Sequence, residues 1–306
     1  MSNKSTVTEF QLLGFSKIQE LQIVHLVMFL TIYLVALMGN FLIITVISLN
    51  PHLHTAMYFF LVNLSVADLG AISVTIPKSM THTRTISYTG CAAQVFFLIF
   101  FMAVDVFLLT VMAYDRFVAI CDPLHYTIVM STASCVQMTV IAWVSGLLYG
   151  SVHVGGTFSI TFCSNVVNQF FCEIPQVLRL SCSNLYLIEV GVLVLSTCLV
   201  FSCFVFIIIS YVQIFRAVMK IPSTKGRQKA FSTCLPHLIV VSLFICICAF
   251  AYLKPISRSP SNFDLVAAVI YCSVPFMMNP IIYSIRNKDI QTALWKILSH
   301  LTVSVV

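Results

Sequence analysis

The sequence predicts an all-α membrane protein: a bundle of seven spanning helices with a short amphipathic helix at the C-terminus. Three observations predict it. Hydrophobic residues make up 59% of the 306 residues and charged residues only 8%, with a mean hydropathy of +1.01, whereas a soluble domain usually carries about 25% charged residues. Seven apolar segments are each long enough to cross a bilayer as a helix of about 20 residues. Basic residues gather in one connection, the pattern that orients a spanning chain. Residues 1–306 read as one unit, with a tail over 1–20, the bundle over 21–285 and a second tail over 286–306.

The first tail mixes Lys4, Glu9, Lys17 and Glu20 with polar residues and holds no signal peptide, so the first span is expected to direct its own insertion. Spans are read near Leu21–Leu49, Met57–Ile76, Ala92–Ala113, Cys135–Gly155, Leu187–Val212, Leu235–Leu253 and Leu265–Tyr283. Helices are nearly the only structure that satisfies its own backbone in lipid. The fourth span is diluted by Ser145, Gly146, Gly150 and His153, and its small residues suit close helix packing. After Tyr283, Ile290, Ala293, Leu294, Ile297, Leu298 and Leu301 recur at helical spacing, as in a helix lying on a membrane surface.

Orientation rests on charge. The loop after the fifth span holds Arg216, Lys220, Lys225, Arg227 and Lys229 with no acid, and the tail adds Arg286, Lys288 and Lys296 against Asp289. These segments are predicted to be cytoplasmic, which leaves the N-terminus outside; Lys78 and Arg84 on the outer side make the remaining loops nearly neutral. The sequon Asn3-Lys4-Ser5 is usable for glycosylation only in that orientation. Cys91, Cys163, Cys172 and Cys182 all fall in outer segments, where disulfides form, and four cysteines allow three pairings. The other eight, Cys121, Cys135, Cys246 and Cys272 among them, read as small apolar packing residues.

Charged and kinking residues inside the spans are the candidates for function. Asp115-Arg116 closes the third span where it meets the cytoplasm, and an uncompensated charge there costs several kcal/mol at least, so the two are expected to pair. Such a pair serves topology alone or a switch that later releases the guanidinium. Asp68 and Asp105 lie mid-span and must share a cation, take protons or face a wet cavity. Asn279-Pro280-Ile281-Ile282-Tyr283 sets a proline inside an apolar helix, which removes one backbone hydrogen bond and favours a kink. Tyr211, near the end of the fifth span, is placed to meet Tyr283 through water.

These residues match a known pattern. Gly39-Asn40, Leu64-Ser65-Val66-Ala67-Asp68, Asp115-Arg116-Phe117, Trp143 and Asn279 through Tyr283, in that order, resemble the rhodopsin-like G-protein-coupled receptors. Leu53 through Leu61, Met112 through Cys121, Ser210-Tyr211, Lys229 through Cys234 and Pro275 through Asn287 are similar to the olfactory (odorant) receptor branch. Four residues depart from the pattern: Ala56 replaces proline, Phe117 replaces tyrosine, Asp105 replaces glutamate and Ile245 stands where tyrosine is frequent.

The resemblance implies a receptor on a cell surface that makes and breaks no bonds. Its partners would be a small hydrophobic odorant, a heterotrimeric stimulatory G protein acting through cyclic AMP, and membrane lipid, with no nucleic acid. The implied ligand residues are Leu98, Ile99, Met102, Ala103, Ile245, Cys248, Tyr252 and Cys272, nearly all apolar, with Leu98 where amine receptors place an aspartate. Asp115, Arg116, Tyr211, Asn279, Pro280 and Tyr283 would form the activation switch. Asp68 with Asp105 would share a sodium ion, the one ligand expected in place of a cofactor. Disulfides Cys91–Cys172 and Cys163–Cys182 are implied likewise. A transporter would show internal repeats, and an intramembrane enzyme would show a nucleophile–base set or metal spacing; neither is present in the sequence. A non-olfactory receptor for a lipid or peptide is the nearer rival, and the branch strings oppose it.

Overall fold

The computed structural model describes residues 7–13, 19–81, 83–182, 186–252 and 262–303. Asn3 therefore lies outside the described residues, as do the side chains of Cys248 and Tyr252.

Seven long helices form the body: α1 (Gln19–Leu49), α2 (Ala56–Ser79), α3 (Tyr88–Cys121), α5 (Thr132–Phe158), α7 (Tyr186–Met219), α8 (Thr224–Tyr252) and α9 (Asn262–Arg286). The short α4 (Tyr126–Val129) and α6 (Ile174–Leu178) sit in connections, and α10 (Lys288–Val303) follows the bundle. All seven long helices are long and apolar enough to cross a membrane. Most run past the apolar segments that predict them. The polar turns at their ends continue the helical hydrogen bonds where hydropathy has already faded, as in α3, which reaches Cys121 rather than Ala113.

Caps set several boundaries. The Ser87 side chain accepts from the Gly90 N–H at the start of α3, and Ser131 accepts from Ser134 N–H at the start of α5. The Asn287 side chain accepts from the N–H groups of Asp289 and Ile290, which ends α9 and opens α10. Ala56, in place of the family's proline, still opens α2.

α3 is the central column, packed on α2, α5 and α7, and α9 packs on α1, α2 and α8. α8 leans chiefly on α9 and meets α3 and α7 only lightly. Small residues make the closest approach: a Cβ placed on Gly146 of α5 would stand 2.6 Å from Val104 Cγ2 and 3.1 Å from the Phe100 carbonyl of α3. Outward faces stay apolar, with Ile23, Val27, Leu195 and Phe201 all more than half exposed. So broad an apolar surface suits hydrocarbon and not water.

One feature is not legible as a strand pattern. Residues 1–20 are expected to be an open tail, yet β1 (Glu9–Leu12) pairs antiparallel with β2 (Thr85–Ser87) and parallel with β3 (Val166–Val167). Phe10 is fully buried against Tyr88 and Phe162 at the disulfide end of the bundle. At the other end, Ile290 and Ala293 of α10 are buried, whereas Trp295 stays exposed, suiting a helix half sunk at an interface.

Candidate functional site

At the basic end, α3 presents Asp115, fully buried, and Arg116, largely buried. One carboxylate oxygen of Asp115 accepts from the Arg116 guanidinium through Nε, at 2.9 Å, and through Nη2. The other accepts the Tyr126 hydroxyl of α4 at 2.8 Å. The adjacent amino acids thus form a closed clasp, and the acid is held from two elements. Ile214 and Val218 of α7 and Cys234 of α8 pack against Phe117, Ile120 and Cys121 beside it. The ring of Phe117, lacking the family's hydroxyl, serves here in packing.

Next to the clasp, Tyr211 and His237 join α7 to α8. The Tyr211 hydroxyl lies 2.8 Å from His237 Nδ1, and His237 Nε2 lies 2.9 Å from the Leu109 carbonyl of α3. A carbonyl only accepts, so Nε2 carries the proton and Nδ1 accepts from the tyrosine. From sequence, Tyr211 is expected to meet Tyr283. The structure buries Tyr283 in the same core cluster and gives Tyr211 a direct partner in His237; among the described residues the Tyr283 hydroxyl has no protein hydrogen-bond partner. His237 is absent from the sequence-derived set; its only signal is a histidine directly after Pro236 inside an apolar helix.

Mid-bundle, Asn279 directs its side-chain amide to both carboxylate oxygens of Asp68, each at 3.1 Å. Asp105 of α3 is buried, within electrostatic reach of Asp68, and among the described residues neither of its carboxylate oxygens has a hydrogen-bond partner. Pro280 has no N–H, which frees the carbonyl of Phe276 one turn before it. The Asn40 side chain of α1 donates to that carbonyl at 3.0 Å. Beside Asn40, Gly39 makes room for the ring: a Cβ there would stand 2.9 Å from Pro280 Cγ. Gly39, Asn40, Asp68, Asn279 and Pro280 therefore form one connected joint between α1, α2 and α9.

At the disulfide end, Cys91–Cys172 ties α3 to the connection between α5 and α7, and Cys163–Cys182 closes a loop within that connection. Gln94 of α3 accepts the Cys172 N–H at 2.9 Å and donates to the Val74 carbonyl of α2 at 3.0 Å. Phe170 and Phe171 are thereby seated over the bundle. They share an apolar cluster with Leu98, Ile247, Tyr271 and Cys272, against which Met102 packs. The Tyr271 hydroxyl lies 3.1 Å from the Met102 sulfur. Of the ligand residues expected from sequence, Leu98, Met102 and Cys272 meet here. Ile99 packs instead in the cluster under the small sheet, Ile245 packs against the large core cluster that also holds Val104 and Ala142, and Ala103 is buried on α3. Phe170, Phe171 and Tyr271 are missed by sequence reasoning: the first two reach this cluster only where the disulfide places their loop, and Tyr271 only through the rotation of α9 in the bundle.

A seven-helix bundle with a charged clasp at one end and an apolar cluster beneath a disulfide-tied roof at the other has the rhodopsin-like architecture. The fold bears this out: squid rhodopsin superposes with a TM-score of 0.74 over 94% of this chain and 88% of its own, at 14% identity. The olfactory receptor family matches residues 29–301. Human Olfactory receptor 14A16 is 51% identical, with 96% of each chain covered, and human Olfactory receptor 14I1 is 52% identical, with 97% of each covered. Mouse Olfactory receptor 5B21 is 45% identical over 98% of this chain and 96% of its own. The chain belongs to the olfactory receptor family. It is a multi-pass membrane receptor with a ligand and a G protein as partners, and it is not an enzyme.

Proposed function

We propose that the receptor binds small, mostly hydrophobic odorants in the half of the bundle beneath Phe170 and Phe171 and activates a heterotrimeric stimulatory G protein, raising cyclic AMP. The chain acts as one unit over 1–306, in the plasma membrane with its N-terminus outside and glycosylated at Asn3. The acid-free basic stretch from Arg216 to Lys229, which runs from the end of α7 into the start of α8, supports that orientation.

The observation that carries this reading is the closed clasp of Asp115, Arg116 and Tyr126. Breaking a buried ion pair costs about 3–5 kcal/mol when nothing replaces it. A partner helix ending in free carbonyls supplies the replacement for Arg116, because a guanidinium presents several donors in a fixed fork. α8 suits the moving part, being lightly attached to α3 and α7. Tyr211 with His237 would hold it at rest, and Asn279, Pro280 and Tyr283 would carry the rearrangement along α9. A ligand shifts this balance by binding the active arrangement more tightly than the resting one. Leu98, Met102 and Cys272 form the core of the ligand set, with Ile99, Ala103, Ile245, Cys248 and Tyr252 completing it.

Asp68 and Asp105 fit a monovalent cation. Two carboxyls share one buried region, and both oxygens of Asp105 are left for a positive charge to engage. A sodium ion there would offset one of the two negative charges, with the second acid protonated or held by the Asn279 amide, and would favour the resting packing.

The test is a cyclic AMP reporter in cells given a chemically diverse odorant panel, with Arg116→Ala as the control. A response that Arg116→Ala abolishes at normal surface expression supports the reading. A response that survives unchanged removes the coupling role of the clasp.

A further inference from the structure

His153 lies on the stripe of α5 that packs against α3, three residues beyond Gly150 and seven beyond Gly146. A Cβ on Gly146 would stand 3.1 Å from the Phe100 carbonyl, and one on Gly150 3.2 Å from the Phe96 carbonyl. Four residues further out along α3 comes Ala92, so a methyl follows two rings at the level of His153. There the imidazole is 4% exposed. Its Nε2 lies 2.7 Å from the Ser196 hydroxyl of α7, and its ring centre 4.6 Å from that of Tyr149. Nδ1 is buried as well and, among the described residues, has no hydrogen-bond partner. The seam it faces is thin, since α7 rests far more on α3 than on α5, and no atom lies within 4 Å of where a Cβ on Gly155 would stand. Val154, the next residue of α5, packs in the cluster that takes in Ile99, one of the ligand residues expected from sequence.

We propose that Nδ1 of His153 binds the hydroxyl head of a hydrophobic ligand, in a subsite between α3, α5 and α7 beside Ile99. This deepens the function proposed above and rests on it. A buried polar atom without a partner costs about 1–3 kcal/mol, and hydrocarbon supplies no water to answer it. A ligand that brings a hydrogen bond to Nδ1 removes that cost. A neutral imidazole has one donating and one accepting nitrogen. A hydroxyl does both, so it answers Nδ1 in whichever role the Ser196 contact leaves to it, whereas a methyl of similar size answers neither. The carbon chain of the ligand then lies along Ile99 and the small side chain of Ala92.

The experiment takes a series of aliphatic alcohols and the hydrocarbons in which methyl replaces the hydroxyl, on the full-length receptor with a cyclic AMP readout. Two variants separate the ring nitrogens. His153→Asn sets an amide where Nδ1 stands and loses the reach to Ser196; His153→Gln sets one where Nε2 stands and keeps that reach. The alcohols are expected to outrank the hydrocarbons on the wild type. His153→Gln should raise the EC50 of the alcohols about three- to tenfold, the worth of one neutral hydrogen bond, and leave the hydrocarbons unchanged, while His153→Asn stays near wild type. The opposite order, with His153→Asn impaired toward both series and His153→Gln normal, would assign the imidazole to holding α7 and overturn the proposal. Equal behaviour of the two variants overturns it too. If neither variant reaches the surface, the wild-type ranking decides, and hydrocarbons as potent as the alcohols sink the assignment. A surface-expressed wild type silent to both series and to a broad odorant panel counts against the receptor reading itself; a response without discrimination counts against His153 alone.

Discussion

Asn40 donates its side-chain N–H to the carbonyl of Phe276 at 3.0 Å, and that carbonyl is the one Pro280 leaves without a helical donor. Two motifs separated by most of the chain, Gly39-Asn40 and Asn279-Pro280, are thus halves of one contact. In hydrocarbon an orphan carbonyl finds no water, so the donor from α1 is what allows the proline.

Asn40→Leu keeps the volume and removes the donor. The expected loss is about 1–3 kcal/mol of stability, read as a lower Tm of the purified receptor in nanodiscs. An unchanged Tm would mean that the carbonyl finds another donor.

Tyr126→Phe removes one of the two holds on Asp115. One hydrogen bond contributes about 1 kcal/mol, so ligand-free signalling should rise roughly three- to tenfold at equal surface expression. Burial, then the neighbouring Asp115, pushes the Tyr126 hydroxyl above its ordinary range. Since the folded-state shift is upward, the phenol stays protonated and donating across physiological pH. The wild-type to Phe ratio should therefore be flat with intracellular pH.

Gly146→Leu drives a side chain into Val104 and the Phe100 carbonyl, where even a Cβ is too close. Overpacking of this kind costs about 1–3 kcal/mol or more. Surface expression should fall sharply for Leu and less for Ala, measured by flow cytometry of a tagged receptor.

Asp105→Asn removes one of the two acids offered to a cation. In membranes washed free of sodium, adding sodium chloride should lower basal nucleotide exchange of the wild type and leave the variant unaffected, with choline chloride as the salt control. Equal sodium responses would show that the Asp105 carboxylate is not needed.

Much of this site is legible in residues alone, and the illegible part has a common cause. Arg116 beside Asp115 is readable because adjacent residues at a helix end must meet. Leu98, Met102 and Cys272 are named by the family resemblance. Tyr126 is not, since its hydroxyl reaches Asp115 only through the turn that folds α4 under α3. Nor is the engagement of Tyr211 with His237, because both lie on long helices whose relative rotation hydropathy leaves open. The roof is the extreme case: Phe170 and Phe171 read as loop aromatics until the disulfide to Cys91 carries them over the bundle.

Hydropathy is a property of each segment by itself, so the sequence alone determined the solvent, the seven crossings, their approximate ends and the kinds of residue stranded in lipid. Which stranded group answers which was decided only by tertiary packing, for partners such as Asn40 and Phe276 lie 236 residues apart and no local rule ranks distant pairs. β1 makes the same point: its four residues are too few to hold a strand until β2 and β3 supply edges to pair with and Phe10 finds the rings of Tyr88 and Phe162.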